Sequence, residues 1–166
     1  TFLKHIQETS AKNIAIVAPT AVAAINAGGT TIHSFFQLPF GPFLPVNRKQ
    51  SGVHDVADRS SLLSRLRFNT ERREVLQQLE LLIIDEISMV RCDMLDAIDA
   101  VLRHIRNQHQ KPFGGVQVLY IGDMYQLPPV VKENDWSILS SCYDNQYFFS
   151  SHAVKAQPPA YIELKK

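Results

Sequence analysis

The chain has 166 residues, 45% of them hydrophobic and 20% charged, which is the composition of an ordinary globular domain with a buried core. Its formal net charge of +1 is close to neutral, so a basic surface for nucleic acid would have to be local. Two cysteines without CxxC spacing argue against a zinc site and a disulfide framework, and no apolar run reaches the roughly 20 residues that a membrane span needs.

The first part of the chain alternates helical and strand patterns before a long loop. Residues 1–12 are typical of the end of an amphipathic helix, and residues 13–20 (NIAIVAPT) predict a short buried strand. Residues 21–29 (AVAAINAGG) predict a helix of small residues that ends at glycine, and residues 30–36 (TTIHSFF) begin another helix. Three prolines among polar residues then predict a long surface loop at about 38–60.

The middle of the chain predicts helices around a second strand. Residues 61–79 are helical in pattern with a break near Asn69, and Thr70 is the expected cap of the second piece. Residues 81–86 (LLIIDE) predict a strand, and Asp93 is the expected cap of the helix that follows it. That helix carries one apolar stripe, formed by Leu95, Ile98, Leu102 and Ile105.

The last part of the chain predicts two more strands, at 116–123 (VQVLYIGD) and, as a fourth strand, at 161–164 (YIEL). Strands that alternate with helices predict an α/β fold in which a parallel sheet is covered by helices on both faces.

An adjacent pair of carboxylates, Asp85 and Glu86, ends the second strand. Ligands of parallel α/β sheets gather beyond the carboxyl ends of the strands, so both acids are expected at such a crevice. Two neighbouring carboxylates favour a cation, and Mg²⁺ with a nucleotide fits this chemistry. We interpret Asp85 as the Mg²⁺ ligand and Glu86 as the residue that orients or deprotonates an attacking water. In the alternative interpretation, Asp85 caps the next segment and Glu86 is solvated.

A neutral amide, Gln126, follows the third strand in IGDMYQLPPV. It can donate to a phosphate oxygen and accept from water, and Gly122 before it permits a close backbone approach. Gln126 is therefore predicted to contact the terminal phosphate of the nucleotide, although an exposed glutamine in a turn would give the same pattern.

Thr20 and the aromatic residues after it could contact single-stranded nucleic acid. Thr20 begins a helix, where backbone N–H groups favour phosphate, and His33, Phe35 and Phe36 lie further along the same segment. The alternative roles are an N-cap for Thr20, a hydrogen-bonded structural role for His33 and core packing for the two phenylalanines.

Three segments in order, APTAVAAINAGGTTIHSFF, LLIIDEISMV and IGDMYQLPPV, resemble motifs Ia, II and III of superfamily 1B DNA helicases, above all the Pif family, which is related to the RecD helicases. The resemblance is most specific from residue 1 to about 131. It implies a RecA-like P-loop NTPase core and makes residues 1–166 a partial first motor domain (domain 1A) that carries motifs Ia, II and III, with a loop-rich insertion at about 38–60.

The resemblance also implies a function, an ATP- and Mg²⁺-dependent motor that moves 5′ to 3′ on single-stranded DNA and unwinds duplexes. Asp85 and Glu86 would take the Walker B roles and Gln126 the role of γ-phosphate sensor. The segment that contains Thr20 and His33 would bind the DNA backbone, and Phe35 and Phe36 would lie next to this segment. Single-stranded DNA and DNA junctions would be the partners, with no membrane involved.

One family feature is missing, the phosphate loop G-x-x-x-x-G-K-[ST], because none of the seven glycines is followed by lysine. In this family the loop and its strand come just before the helix whose end TFLKHIQ resembles, so the chain is expected to begin inside that helix. We therefore expect a fragment, incomplete at both ends, that alone binds ATP poorly and hydrolyses it negligibly. The missing internal strand would leave unpaired strand edges, so we expect self-association through an edge or loss of local order at the first residues.

Two other functions remain open at this point, an AAA+-type ATPase core and a degenerate, non-catalytic nucleic-acid-binding module. The segment GDMYQLPP is unexpected in the first, and the missing phosphate loop is compatible with the second. No targeting segment is visible, which favours the bacterial cytoplasm, or the nucleus or mitochondrion for a eukaryotic source.

Overall fold

The computed structural model describes residues 2–45 and 56–164. Its α-helices are α1 (Phe2–Thr9), α2 (Ala21–Ala27), α3 (Ile32–Phe36), α4 (Arg59–Arg65), α5 (Thr70–Gln78), α6 (Cys92–Ile105), α7 (Glu133–Leu139) and α8 (His152–Ala156). Its strands are β1 (Ile14–Ala18), β2 (Thr30–Thr31), β3 (Phe43–Leu44), β4 (Ala57–Asp58), β5 (Leu81–Ile84) and β6 (Gln117–Tyr120). Short 3₁₀ segments occur at Ile87–Met89, Pro112–Gly115 and Phe148–Ser150.

The main sheet has the strand order β2-β1-β5-β6, and every neighbouring pair is parallel. The central strands β1 and β5 are rich in Ile, Val and Leu, and all four residues of β5 are buried. This is the pattern of strands that are covered on both faces. The predicted α/β class with a parallel sheet is confirmed.

Apolar side chains cover both faces of this sheet. On one face, Val17 and Ile84 belong to the largest core cluster, which includes the buried stripe of α6. On the other face, Ile83 belongs to a smaller cluster, against which Leu3 and Ile6 of α1 pack. The amphipathic first helix and the apolar stripe at Leu95, Ile98, Leu102 and Ile105 are therefore confirmed.

A buried carboxylate connects α6 to the last part of the fold. Asp96, which is 5% exposed, accepts hydrogen bonds from the Tyr143 hydroxyl (2.8 Å), the His152 N–H (3.0 Å) and the Ala153 N–H (2.9 Å). Two of these donors are backbone groups at the N-terminus of α8. Asp96 thus satisfies helix-end groups that have no partner within α8 itself.

Three local predictions are wrong. Residues 161–164 form no strand, and Tyr161, Ile162 and Leu164 are more than 80% exposed, because no described strand lies beside them to pair with. The fourth strand of the sheet is β2 instead, two threonines that directly precede α3.

The two predicted caps are the other errors. Asn69, not Thr70, caps α5, with its side chain accepting from Arg72 N (2.8 Å). Asp93 lies inside the first turn of α6, whose N-cap is Arg91, and its carboxylate bonds the Phe43 N–H and Arg91 instead of the helix end. The predicted helix break before α5 is confirmed.

The segment predicted as a loop at 38–60 contains the short parallel pair β3 and β4 and the start of α4. Residues 38–42, 45 and 56 are in neither a helix nor a strand, as predicted, and residues 46–55 lie outside the described residues. No helix within the described residues is long and apolar enough to cross a membrane.

Candidate functional site

The acid pair follows β5 at the carboxyl edge of the sheet. The Asp85 N–H still bonds to Val17 O of β1 at 2.9 Å, so this residue continues the strand ladder. Glu86 then adopts the left-handed conformation (φ 54°, ψ 46°), which is uncommon for a residue other than glycine. Both side chains are half-buried. The sharp turn at Glu86 therefore ends the strand, and both acidic residues are only partly buried at its end.

The backbone after β5 contacts the backbone after β6. The Ile87 N–H donates to Ile121 O at 2.9 Å, and the Ile121 N–H donates to Ile84 O at 2.9 Å. At Gly122 an added Cβ would lie 2.9 Å from Ile87 N, so no side chain fits there. The close backbone approach predicted at Gly122 is therefore found, and it brings the loop after β6 next to the segment that carries Asp85 and Glu86.

Gln126 lies four residues further along this second loop and is exposed. Its Nε2 donates to Asp123 Oδ2 at 3.2 Å, and the N–H groups of Tyr125 and Gln126 bond to Asp123 Oδ1 (2.9 Å) and Asp123 O (3.0 Å). Asp123 therefore holds both the turn and the amide. The sequence pattern did not single out Asp123 for this role, although an aspartate whose carboxylate bonds the N–H two residues later is the usual signature of such a turn.

Thr20 lies at the same edge, two residues after β1. Its Oγ1 accepts from Ala23 N at 3.2 Å, and it is the N-cap of α2. The structure therefore gives Thr20 the capping role that was one of its two interpretations. The hydroxyl hydrogen is a donor that the cap does not use, so the cap is compatible with a phosphate contact.

The two phenylalanines of α3 are buried. Phe35 is 5% exposed and Phe36 is 0% exposed, and the rings meet edge to face with centroids 4.9 Å apart. This burial favours the alternative interpretation, core packing, over direct stacking with a base. Their packing fixes α3 and with it the position of His33.

His33 is half-buried and stacks on Phe40, with ring centroids 4.9 Å apart and planes at 20°. Burial lowers the pKa of His33, and the nearby Arg91 cation lowers it further, against an opposing effect of Asp93. His33 is therefore held in the neutral form more strongly than a free histidine.

The loop that carries Phe40 is fixed by one ion pair. Arg91 bonds to both carboxylate oxygens of Asp93, at 2.8 and 2.5 Å, and to Gly41 O at 3.1 Å. Asp93 in turn accepts from Phe43 N at 2.9 Å. Neither Phe40 nor this pair was singled out by sequence, because the exposure of a loop residue depends on the path of the chain around it.

The residues at the acid pair suit a metal ion that is shared with a substrate. No group of three or more His, Cys, Asp or Glu side chains in the described part of the chain could hold a metal ion. Mg²⁺, however, is usually held by one or two carboxylates together with water and phosphate oxygens. The accessible carboxylates at the end of β5 fit that requirement.

A parallel sheet with an acid pair and an amide on neighbouring loops at its carboxyl edge is the arrangement of the RecA-like class of α/β proteins. The model of the PIF1-like helicase family matches residues 1–155. The chain belongs to the PIF1-like helicase family. The match places it among helicases and not among AAA+ ATPases.

Relatives and solved structures agree with this assignment. The chain is 37% identical over 122 residues to the ATP-dependent DNA helicase PIF1 of Saccharomyces cerevisiae, covering 74% of this chain and 12% of that protein. It is 36% identical over 149 residues to human PIF1, covering 90% of this chain and 20% of that protein. A Bacteroides Pif1 structure bound to ssDNA superposes with a TM-score of 0.79 at 46% identity, covering 93% of this chain and 33% of the other. A Bacteroides Pif1 structure with ADP-AlF4 gives a TM-score of 0.78 at 46% identity, covering 94% and 33%.

The chain thus spans 12% and 20% of the lengths of these two relatives and about a third of the solved chains.

Proposed function

We propose that these residues are part of the first motor domain of an ATP-dependent helicase that moves 5′ to 3′ on single-stranded DNA and unwinds duplexes. Membership of the PIF1-like family supports this function. The observation that carries the site is the hydrogen bond from Ile87 N to Ile121 O, which joins the loop of the acid pair to the loop of Gln126. A nucleotide at this edge of the sheet could contact both loops at once.

Each residue of the proposed nucleotide site has a distinct role. Asp85 would hold Mg²⁺, and a bound Mg²⁺ ion neutralises negative charge on phosphate oxygens. Glu86 orients or deprotonates the attacking water, and Gln126 donates its amide to the terminal phosphate. Because that amide donates to Asp123 in this structure, the phosphate would compete with Asp123 for it.

The proposed nucleic-acid contacts begin at Thr20 and His33. The Thr20 hydroxyl can donate to a phosphate oxygen of the DNA backbone, and the neutral His33 ring can do the same through a ring N–H. Phe35 and Phe36 support α3 from within the core. The substrate is single-stranded DNA, including the single strands at junctions, and the compartment is one that contains DNA, either the bacterial cytoplasm or a eukaryotic nucleus or mitochondrion.

Replacing Glu86 by Gln in the full-length protein tests the catalytic part. The amide keeps the size of the side chain but cannot take a proton, so DNA-stimulated ATP hydrolysis should fall by about two to four orders of magnitude. Binding of a fluorescent ATP analogue should be retained. The measurements are steady-state ATP hydrolysis and equilibrium nucleotide binding.

The matched control is Glu74→Gln, which makes the same charge change on the exposed surface of α5 and should leave hydrolysis unchanged. The 166-residue chain alone lacks a phosphate loop and should show no hydrolysis above background. Normal turnover by Glu86→Gln would refute the role of Glu86.

A further inference from the structure

One large aromatic ring next to α3 lies on the surface. Phe40 is 87% exposed, although its neighbours Leu38 and Phe43 are 8% and 5% exposed. Its ring is stacked on His33 instead of turning into the core. An exposed phenylalanine lacks the favourable free energy of burying its ring. The position of Phe40 on the surface, held against a second ring, therefore calls for an explanation.

We propose that Phe40, supported from behind by His33, is a stacking platform for one base of single-stranded DNA. The proposal rests on the proposed function, since it names a contact within the same DNA path. His33 lies in the first turn of α3, which begins directly after β2 and hence at the carboxyl edge of the sheet. The same edge carries Thr20 at the end of β1.

The platform is organised before any ligand binds. Gly41, directly after Phe40, is held through its carbonyl by Arg91, and Phe43 is held through its N–H by Asp93. Asp93 is 1% exposed, so this anchor is protected from water. A ring that is already fixed loses little conformational entropy when a base stacks on it.

The surrounding charges favour stacking over ionic contact. The Arg91 guanidinium is paired with Asp93 and also lies 3.5 Å from Asp135, so its charge is compensated. The lowered pKa of His33 keeps the supporting ring neutral near pH 7. Base stacking on aromatic rings is tolerant of sequence, whereas contacts to phosphate depend strongly on salt. The part of the affinity that Phe40 contributes should therefore be independent of base identity and nearly independent of salt.

The occupant is a nucleic-acid base for two reasons. A flat pair of rings matches the face of a base, and a Bacteroides Pif1 with 46% identity to this chain has been crystallised with ssDNA. The competing outcome is that a peptide or a second protein domain, and not a base, covers Phe40. Binding of oligonucleotides to Phe40 variants separates a base from a protein occupant.

The test measures the binding of the 166-residue chain to fluorescein-labelled oligo(dT) and to an abasic oligonucleotide of the same length. Phe40→Ala should weaken oligo(dT) binding about 5-fold or more, the range expected for loss of one stacked base. Phe40→Trp should restore it. Neither variant should change binding to the abasic strand. The ratio of the oligo(dT) dissociation constants of Phe40→Ala and the wild type should be the same at low and high salt.

Phe149→Ala is the matched control. Phe149 is 45% exposed and stacks on Tyr147 with ring centroids 5.4 Å apart and ring planes at 8°. The substitution therefore removes a similar ring pair elsewhere on the surface. It should leave oligo(dT) binding unchanged. Thermal unfolding of each variant shows whether the fold is retained, and the high exposure of Phe40 predicts an unchanged melting temperature for Phe40→Ala.

Photocrosslinking with an oligonucleotide that contains 5-iodo-deoxyuridine gives an independent readout, because this base reacts with an aromatic ring on which it stacks. Mass spectrometry should locate the adduct on Phe40. If the chain binds oligo(dT) but Phe40→Ala binds equally well, or the adducts lie elsewhere, the platform is refuted and the proposed function stands. If the wild-type chain binds no oligonucleotide and forms no adduct, both the platform and the proposed DNA contacts of this chain are refuted.

Discussion

Asp96 is the residue on which the contact between α6 and α8 depends. Its two oxygens accept three hydrogen bonds in a buried position, and two of the donors are backbone N–H groups. Such a carboxylate cannot be replaced by an amide without placing an N–H group against another N–H group, whichever way the amide is turned. The cost of one unsatisfied buried group is about 1–3 kcal/mol.

Asp96→Asn should therefore lower the free energy of unfolding by about 1–3 kcal/mol, measured by urea denaturation. Asp144→Asn is the control, because Asp144 pairs with Lys155 on the surface and a surface ion pair contributes little. It should leave the urea midpoint unchanged. An equal effect of the two substitutions would show that the Asp96 network does not stabilise the fold.

Individual site residues were predictable when their position followed from a strand. The run LLII ends at Asp85 and Glu86, so their place at the sheet edge could be predicted from the pattern alone. Phe35, Phe36 and Phe40 show the opposite case. All three are phenylalanines within six residues, but two are buried and one is exposed, and that difference depends on how the loop after α3 is held by Arg91.

At the scale of elements, the contact between the loops after β5 and β6 is the feature on which the proposed nucleotide site depends. It requires a residue without a side chain at Gly122, because an added Cβ would lie 2.9 Å from Ile87 N. That nitrogen donates the hydrogen bond that joins the loops. A methyl group here must therefore displace one loop from the other.

Gly122→Ala should destabilise the chain by about 1–3 kcal/mol, the usual cost of an added group that must displace its neighbours. In the full-length protein it should also reduce ATP hydrolysis more than ATP binding, since the acid pair and Gln126 would lose their relative position. Differential scanning calorimetry and steady-state hydrolysis measure the two effects. Tyr125→Ala changes the same loop at a residue that is 100% exposed, and its melting temperature should not change.

The elements themselves were largely predictable, with exceptions that have a physical cause. The strands β1, β5 and β6 are apolar runs whose burial decides their structure. β2 consists of two threonines and has no such signal, because only its pairing with β1 makes it a strand. Residues 161–164 carry the signal, but a strand also needs a neighbour, and none of the described residues supplies one.

For the molecule as a whole, the exposed edge of the sheet is the main unusual property. β6 pairs with β5 on one side, and no other strand in the described ranges pairs with its outer side. Its residues are half-buried or exposed. Unpaired strand edges are templates for association. Because α1 is formed at Phe2–Thr9, self-association is the outcome that we expect, and not loss of order at the first residues.

The 166-residue chain should show concentration-dependent self-association in sedimentation velocity, and Val118→Pro should reduce it. Gln117 N and Ile121 N bond to Glu80 O and Ile84 O of the β5 side. Alternate residues of a strand face the same neighbour, so Val118 N points outward and its loss should leave the β5–β6 ladder intact. Leu119→Pro removes an inward N–H and should unfold the chain instead. Purely monomeric wild-type protein at all concentrations would refute association through this edge.

Arg91 has a further consequence for how the parts of this molecule can move. Its Nη1 lies 3.5 Å from Asp135 of α7, and its Nη2 bonds to Gly41 beside the exposed ring of Phe40. Since α7 follows the loop of Gln126, a shift of that helix during a nucleotide cycle would change a contact of the guanidinium that also holds the aromatic loop. One planar cation thus contacts both α7 and the loop that carries Phe40, and the single nitrogen of a lysine could not maintain both contacts.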